Sequence, residues 1–192
     1  MMKYGKSTVS EVNRSMKRLL PDYMFHSYRE ISPAFLKEIG VTALLIDIDN
    51  TLAPYEMPDP DDEIRQWFAE LRANGIRAAL VSNNHAPRVE RFNATLGLPA
   101  FSDSGKPGKK RLAEALAAVD STAETTAVLG DQLLTDAAFG KSHGMRAIIV
   151  PPIYDKRNLF FRCKRLLEIP VVKKYNKLHG TDFDTFTLPP KR

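Results

Sequence analysis

Five short apolar runs, each followed by a polar cluster and a segment of helical period, fill the stretch from residue 41 to residue 150. The runs at 41–48, 76–81, 100–101, 126–129 and 146–150 read as buried strands. Between them, 59–74, 86–96, 108–119 and 135–143 read as helices, and Gly75, Gly97 and Gly144 stand where three of them must stop. Strictly alternating strands and helices predict an α/β fold: a doubly wound parallel sheet of about five strands with helices on both faces. The chain of 192 residues is long enough for one such domain plus extensions. In this architecture the loops beyond the carboxyl ends of the strands collect the chemistry.

Those ends are unusual. The stretch 44–54, LLIDIDNTLAP, closes the first strand with Asp47 and Asp49, which a period of two places on one side of the backbone. Carboxylates this close repel unless a cation lies between them or one keeps its proton. A hard divalent cation with oxygen ligands answers that need, and Mg²⁺ is the usual one beside phosphate. The plainer alternative is a strand ending in a polar turn, where Asp and Asn are common. The second strand ends in Ser82-Asn83-Asn84, the loop after the third carries Lys106, and the fourth ends at Asp131 with Asp136 five residues on. Converging on one cleft, three carboxylates, a hydroxyl and an ammonium suit a metal ion and a phosphoryl group. One carboxylate could attack phosphorus and a second could move the proton. No Gly-rich dinucleotide loop follows the first strand and no GxxxxGK[ST] is present, so neither hydride transfer nor P-loop chemistry fits.

The flanks differ from this core. Residues 1–40 read as a helical extension with Ser32 as N-cap and Pro33 at the first helical position, and 153–192 as a basic helical extension and tail, leaving 41–152 as the α/β core. The net charge of +5 divides as +3 over 1–40, −4 over 41–150 and +6 over 151–192. Within 158–169, Leu159, Phe160, Cys163, Leu166 and Leu167 share a helical face, expected to pack on the sheet; a basic amphipathic helix on anionic lipid is the alternative. Residues 182–192 have little apolar periodicity and read as a mobile end. One cysteine, Cys163, excludes an intrachain disulfide and a cysteine-based zinc site. With no apolar leader at the N-terminus and no long apolar run, the expected location is cytoplasmic, with peripheral contact on the inner face of a membrane as a variant. His85 and His143, near helix ends, read as structural or solvated.

DIDNT at 47–51, SNN at 82–84, GKPGK at 105–109 and GDQLLTD at 130–136 together resemble the four motifs of the haloacid dehalogenase (HAD) superfamily phosphatases. The resemblance implies Asp47 as nucleophile and metal ligand. Asp49 would be the acid/base, giving its backbone carbonyl to the metal, and Thr51 would support their loop. Ser82 and Asn83 would bind the phosphoryl, Lys106 would bridge it to the nucleophile, Asp131 would complete a Mg²⁺ site, and Asp136 would stand just outside. Lys109 and Lys110 are nearby substitutes for Lys106. Neither connection between motifs has room for a large cap domain, which implies an open cleft. PDY at 21–23 and PPIYDKRNLF at 151–160 are similar to the narrower YqeG-like HAD IIIA-type group, whose relatives include a mitochondrial phosphatidylglycerophosphate phosphatase. That implies a phosphorylated substrate, with a phospholipid phosphate as one form of it. The alternative is a non-enzymatic binding module whose basic ends contact RNA, a ribosomal particle or a GTPase partner.

Overall fold

The structure is a computed structural model that describes residues 16–154 and 159–184, with side chains described from 165 onward in the second stretch. Strands β1 (Tyr23–Met24), β2 (Ala43–Ile46), β3 (Arg77–Val81), β4 (Ala100–Phe101), β5 (Thr126–Gly130) and β6 (Arg146–Ile149) form one parallel sheet. Their order is β1-β6-β5-β2-β3-β4. The helices are α1 (Pro33–Glu38), α2 (Asp62–Ala73), α3 (Ala86–Asn93), α4 (Leu112–Ala118), α5 (Ala138–Ser142) and α6 (Leu159–His179). From β2 the chain winds outward through β3 to β4, then returns to lay β5 on the other side of β2. The direction of winding therefore reverses between β2 and β5, and in such sheets that reversal opens a crevice at the strand ends.

Local signals explain the elements. All of β2 is buried because both of its faces are covered. Leu44, Ile46, Leu80 and Leu129 meet Ile64, Trp67, Phe68 and Leu71 of α2 on one face. Leu45, Ala79, Val81 and Val128 meet Ala115 and Val119 at α4 and Phe139 of α5 on the other. Asp61 caps α2 by accepting from the Ile64 amide at 2.8 Å, and Ser32 caps α1 by accepting from Phe35 at 3.2 Å.

Three features differ from expectation. The sheet gains a sixth strand, β1, inside the segment read as helical. Two residues are too short to show a period, and their pairing depends on the open edge of β6: the Asp22 amide donates to the Ala147 carbonyl at 2.9 Å and the Phe25 amide to that of Ile149 at 3.0 Å. The leucine face of α6 does not pack as expected. Leu166 and Leu167 are 58% and 64% exposed, while Arg165, Glu168, Val171, Val172 and Tyr175 turn inward. The side chains of Leu159, Phe160 and Cys163 lie outside the described residues. The start of the expected mobile end is anchored, because Phe183 packs with Val171, Val172 and Tyr175 and its backbone is held at both N–H and C=O by the Asn176 amide. Residues 185–192, with most of that end, lie outside the described residues.

Candidate functional site

A cleft of about 210 Å³ opens at the reversal point, and Asp47, Asp49, Ser82, Asn83, Lys106 and Asp136 line it. A roomier groove of about 300 Å³ lies at the opposite ends of the strands, among Arg72, Arg77, Leu98 and Val119. It gathers no carboxylates, so its size gives it no chemistry.

Asp47 follows β2 directly and its amide donates to the Leu129 carbonyl at 2.9 Å, which locks it against β5. The chain then turns over Asn50, whose φ of 66° is a conformation Asn tolerates better than most residues. The Ile48 carbonyl gathers the amides of Thr51, Leu52 and Ala53, and this tight loop aims Asp49 back at the cleft. Thr51 is buried beneath the loop. The Asp49 carboxylate is held by the Arg88 guanidinium at 3.1 Å on Oδ1 and by the Asn84 amide at 3.1 Å on Oδ2.

Lys106 is the hub. Its Nζ donates at 2.7 Å to Asp47 Oδ1 and at 2.7 Å to Asp136 Oδ1, and the residue is only 6% exposed. Lys109 and Lys110 point into solvent and do not substitute for it. Asn83 holds this loop: its Oδ1 accepts from the Lys106 amide and the Ser104 hydroxyl, both at 2.8 Å, and its Nδ2 donates to the Lys106 carbonyl at 3.0 Å. Asn83, expected as a phosphoryl contact, lines the cleft and uses both ends of its amide to position Lys106. Ser82 stays at the cleft wall with its Oγ accepting from the Asn84 amide at 3.0 Å. His85 is largely exposed beside Asp103, and His143 bonds the Phe139 carbonyl.

Asp136 reaches the cleft because residue 130 is glycine: a Cβ there would lie 2.2 Å from the Asp136 Cγ. Asp131 sits behind the cleft wall. Arg165 donates to its Oδ2, and at 2.7 Å to its carbonyl, while Glu168 accepts from the amides of Leu133 and Leu134. Arg88, Arg165 and Glu168 carry no signal of a site role in the sequence. Arg88 falls within no motif, and Arg165 and Glu168 look in sequence like an ordinary exposed i,i+3 pair.

One ammonium among several buried carboxylates leaves a charge imbalance. Burial pushes the Asp47 pKa up to about 8; Lys106 opposes this, and the charges on Asp136 and Asp131 add to it. Burial likewise lifts Asp131 to about 6 against the pull of Arg165. Burial alone would lower the Lys106 pKa, but Asp136 and Asp47 hold it above its ordinary value. Counted as ions, the five carboxylates Asp47, Asp49, Asp131, Asp136 and Glu168 face the three cations Lys106, Arg88 and Arg165. Among the described residues that count leaves negative charge in excess, which suits a cation. Asp131 Oδ1 is buried with no hydrogen-bond partner among the described residues, and an all-oxygen donor set is what a hard cation takes. Among the described residues no three His, Cys, Asp or Glu side chains close into a ready-made cage. The residues present therefore fit a cation held by two carboxylates, the Asp49 carbonyl implied by the resemblance, and water.

A pH test follows. With a folded-state pKa near 8 against an ordinary 3.8, Asp47 keeps a proton that the unfolded chain releases, and Asp131 does the same up to about 6. The folded state binds more protons across this window, so stability falls as pH rises through it. Melts of the protein in EDTA should give a lower Tm at pH 8 than at pH 6, and added Mg²⁺ should raise Tm more at pH 8. A Tm independent of pH would mean that Asp47 is already ionised in the metal-free protein.

Comparison with known proteins agrees with the motif reading. The family model for haloacid dehalogenase-like hydrolase matches residues 9–144. The chain is 34% identical over 152 residues to "Probable phosphatase YqeG" of Bacillus subtilis (strain 168), covering 79% of this chain and 88% of that protein. It is 31% identical over 144 residues to "Phosphatidylglycerophosphate phosphatase 1, chloroplastic" of Chlamydomonas reinhardtii, covering 70% of this chain and 53%, about half, of that longer protein. Among solved structures, the cobalt-bound deoxy-D-mannose-octulosonate 8-phosphate phosphatase of Haemophilus influenzae covers 77% of this chain and 96% of that one, at 17% identity and a TM-score of 0.46.

Proposed function

The chain belongs to the haloacid dehalogenase-like hydrolase family, and we propose that it is a Mg²⁺-dependent phosphomonoesterase working through an aspartyl-phosphate on Asp47. The observation that carries this reading is the Lys106 ammonium held between Asp47 and Asp136 at the point where the sheet reverses. A carboxylate oxygen of Asp47 attacks phosphorus as the bond to the leaving oxygen breaks, and Asp49 gives that oxygen its proton. In the second half Asp49 takes a proton from water as the water oxygen attacks phosphorus and the bond to Asp47 breaks, releasing inorganic phosphate. Lys106 keeps Asp47 in place and offsets negative charge on the phosphoryl, and Ser82 stands at the cleft wall to receive its oxygens. A divalent cation beside Asp47 and Asp131 would favour the ionised nucleophile and draw charge from the phosphoryl oxygens. In this reading 41–152 is the catalytic core and the flanking segments support it.

The substrate is a phosphate monoester, and we favour a phospholipid phosphate. The name of the Chlamydomonas relative supports this, as do the exposed Leu166, Leu167 and Leu178 standing among Lys173 and Lys177 on α6. Among the described residues no helix is long and apolar enough to cross a membrane, so such a substrate would be met at its surface. The test is hydrolysis of an aryl phosphate and of dispersed phosphatidylglycerophosphate with Mg²⁺, with and without EDTA. Activity on both should vanish in EDTA and return with excess Mg²⁺, with higher kcat/KM on the lipid. No Mg²⁺-dependent release of phosphate from either would overturn the enzyme reading. RNA binding that weakens steeply with salt would then support the binding-module alternative.

A further inference from the structure

The segment leaving β5 is gripped from outside the core by two charged residues of α6. Leu133–Ala137 forms an irregular π-helical turn, whose opening amides need acceptors from elsewhere. Glu168 Oε1 takes two of them, Leu133 at 2.8 Å and Leu134 at 3.2 Å. Arg165 Nη1 donates to Glu168 Oε2 at 2.8 Å and to the Asp131 carbonyl at 2.7 Å, and Nη2 donates to Asp131 Oδ2. Both residues are nearly inaccessible, at 5% and 1% exposure. The effect is one-sided. One carboxylate oxygen of Asp131 and its carbonyl are tied to α6, and Oδ1 is left buried without a hydrogen bond among the described residues.

We infer that Arg165 and Glu168 are positioning residues for the divalent cation, fixing Asp131 so that Oδ1 is presented to it. This rests on the cation site proposed above. A planar guanidinium can hold a carbonyl, a carboxylate and a second carboxylate in one fixed fork, and a lysine ammonium cannot reproduce that geometry. Burying three ionised groups is rarely the cheapest way to stabilise a fold, since apolar side chains often do as well. Their arrangement around one ligand oxygen is what the expense achieves. Charge alone predicts the opposite effect: a guanidinium so near a cation site repels the ion, and removing it would tighten binding.

That opposition in sign makes the test decisive. Mn²⁺ alone, without substrate, is titrated calorimetrically into wild type, Arg165→Lys, Arg165→Met and Lys177→Met, and each protein is melted in EDTA. If the fork positions Asp131, both Arg165 variants bind Mn²⁺ roughly 10–100-fold more weakly, the range seen when the outer partners of metal ligands are lost. Lys177→Met, a charge loss on the exposed side of the same helix, keeps wild-type affinity. Where Arg165→Met fails to fold, Arg165→Lys carries the result. Unchanged affinity in Arg165→Lys, or tighter binding in Arg165→Met, overturns the inference. So does a lowered Tm with affinity intact, which is the mark of a purely structural clasp. Wild type that binds no Mn²⁺, or whose binding survives Asp131→Asn, overturns the cation site itself and this inference with it.

Discussion

Asp47→Asn should reduce aryl-phosphate hydrolysis by a factor on the order of 10⁴ or more, the scale of loss when a catalytic nucleophile is removed. It should do so without loosening the fold. The substitution keeps the volume of the side chain, and the amide oxygen can still accept from Lys106, which lies 2.7 Å from Asp47 Oδ1. The amide cannot attack phosphorus to give the acyl phosphate. Burial that pushes the Asp47 pKa up to about 8 means that the ionised form is disfavoured here, and a neutral amide removes that penalty. In EDTA at pH 8 the variant should therefore melt no lower than wild type. Activity and stability move in opposite directions at the same atom, as expected where a charge is kept for chemistry. Retention of more than about a tenth of wild-type activity would remove Asp47 as nucleophile, because loss of general electrostatic support alone accounts for factors of about 10²–10³.

The residues that carry this prediction were legible in the sequence for a reason. A parallel sheet covered on both faces writes its strands as apolar runs, so the first polar residue after each run marks a strand end. Asp47, Ser82 and Asp131 are all found that way. Lys106 needed the loop after a two-residue strand, β4, and was legible through the motif around it. What the sequence withheld has a common physical character. β1 exists because the edge of β6 needed a partner, which no local pattern records. Arg165 and Glu168 on α6 turn inward where helical periodicity favoured the leucines, because satisfying Asp131 and the amides after it outweighs burying Leu166 and Leu167. Arg88 holds Asp49 from the first turn of a helix, 39 residues away in the chain. Each of these depends on a distant partner, and periodicity reports only on neighbours.

Lys106→Met is the second large effect, and here stability and activity should fall together. Methionine is close in length and apolar, so the space of the buried side chain stays filled while the charge disappears. Asp47 and Asp136 then face each other without the cation they share, and Asp131 adds to the repulsion. Removing one partner of a buried ion pair costs about 3–5 kcal/mol. For a chain of this size that is a Tm lower by roughly 10 °C. The loss should be greatest at pH 8 in EDTA and smaller near pH 5, because carboxylates freed from Lys106 accept protons more readily and each proton removes one repulsive charge. Asp136→Asn in the Lys106→Met background should restore part of the lost Tm by halving the uncompensated pair, and should restore no hydrolysis, since the ammonium that offsets charge on the phosphoryl is still missing. A Lys106→Met protein that melts with wild type at pH 8 in EDTA would show that Lys106 is not what holds the acidic cluster together.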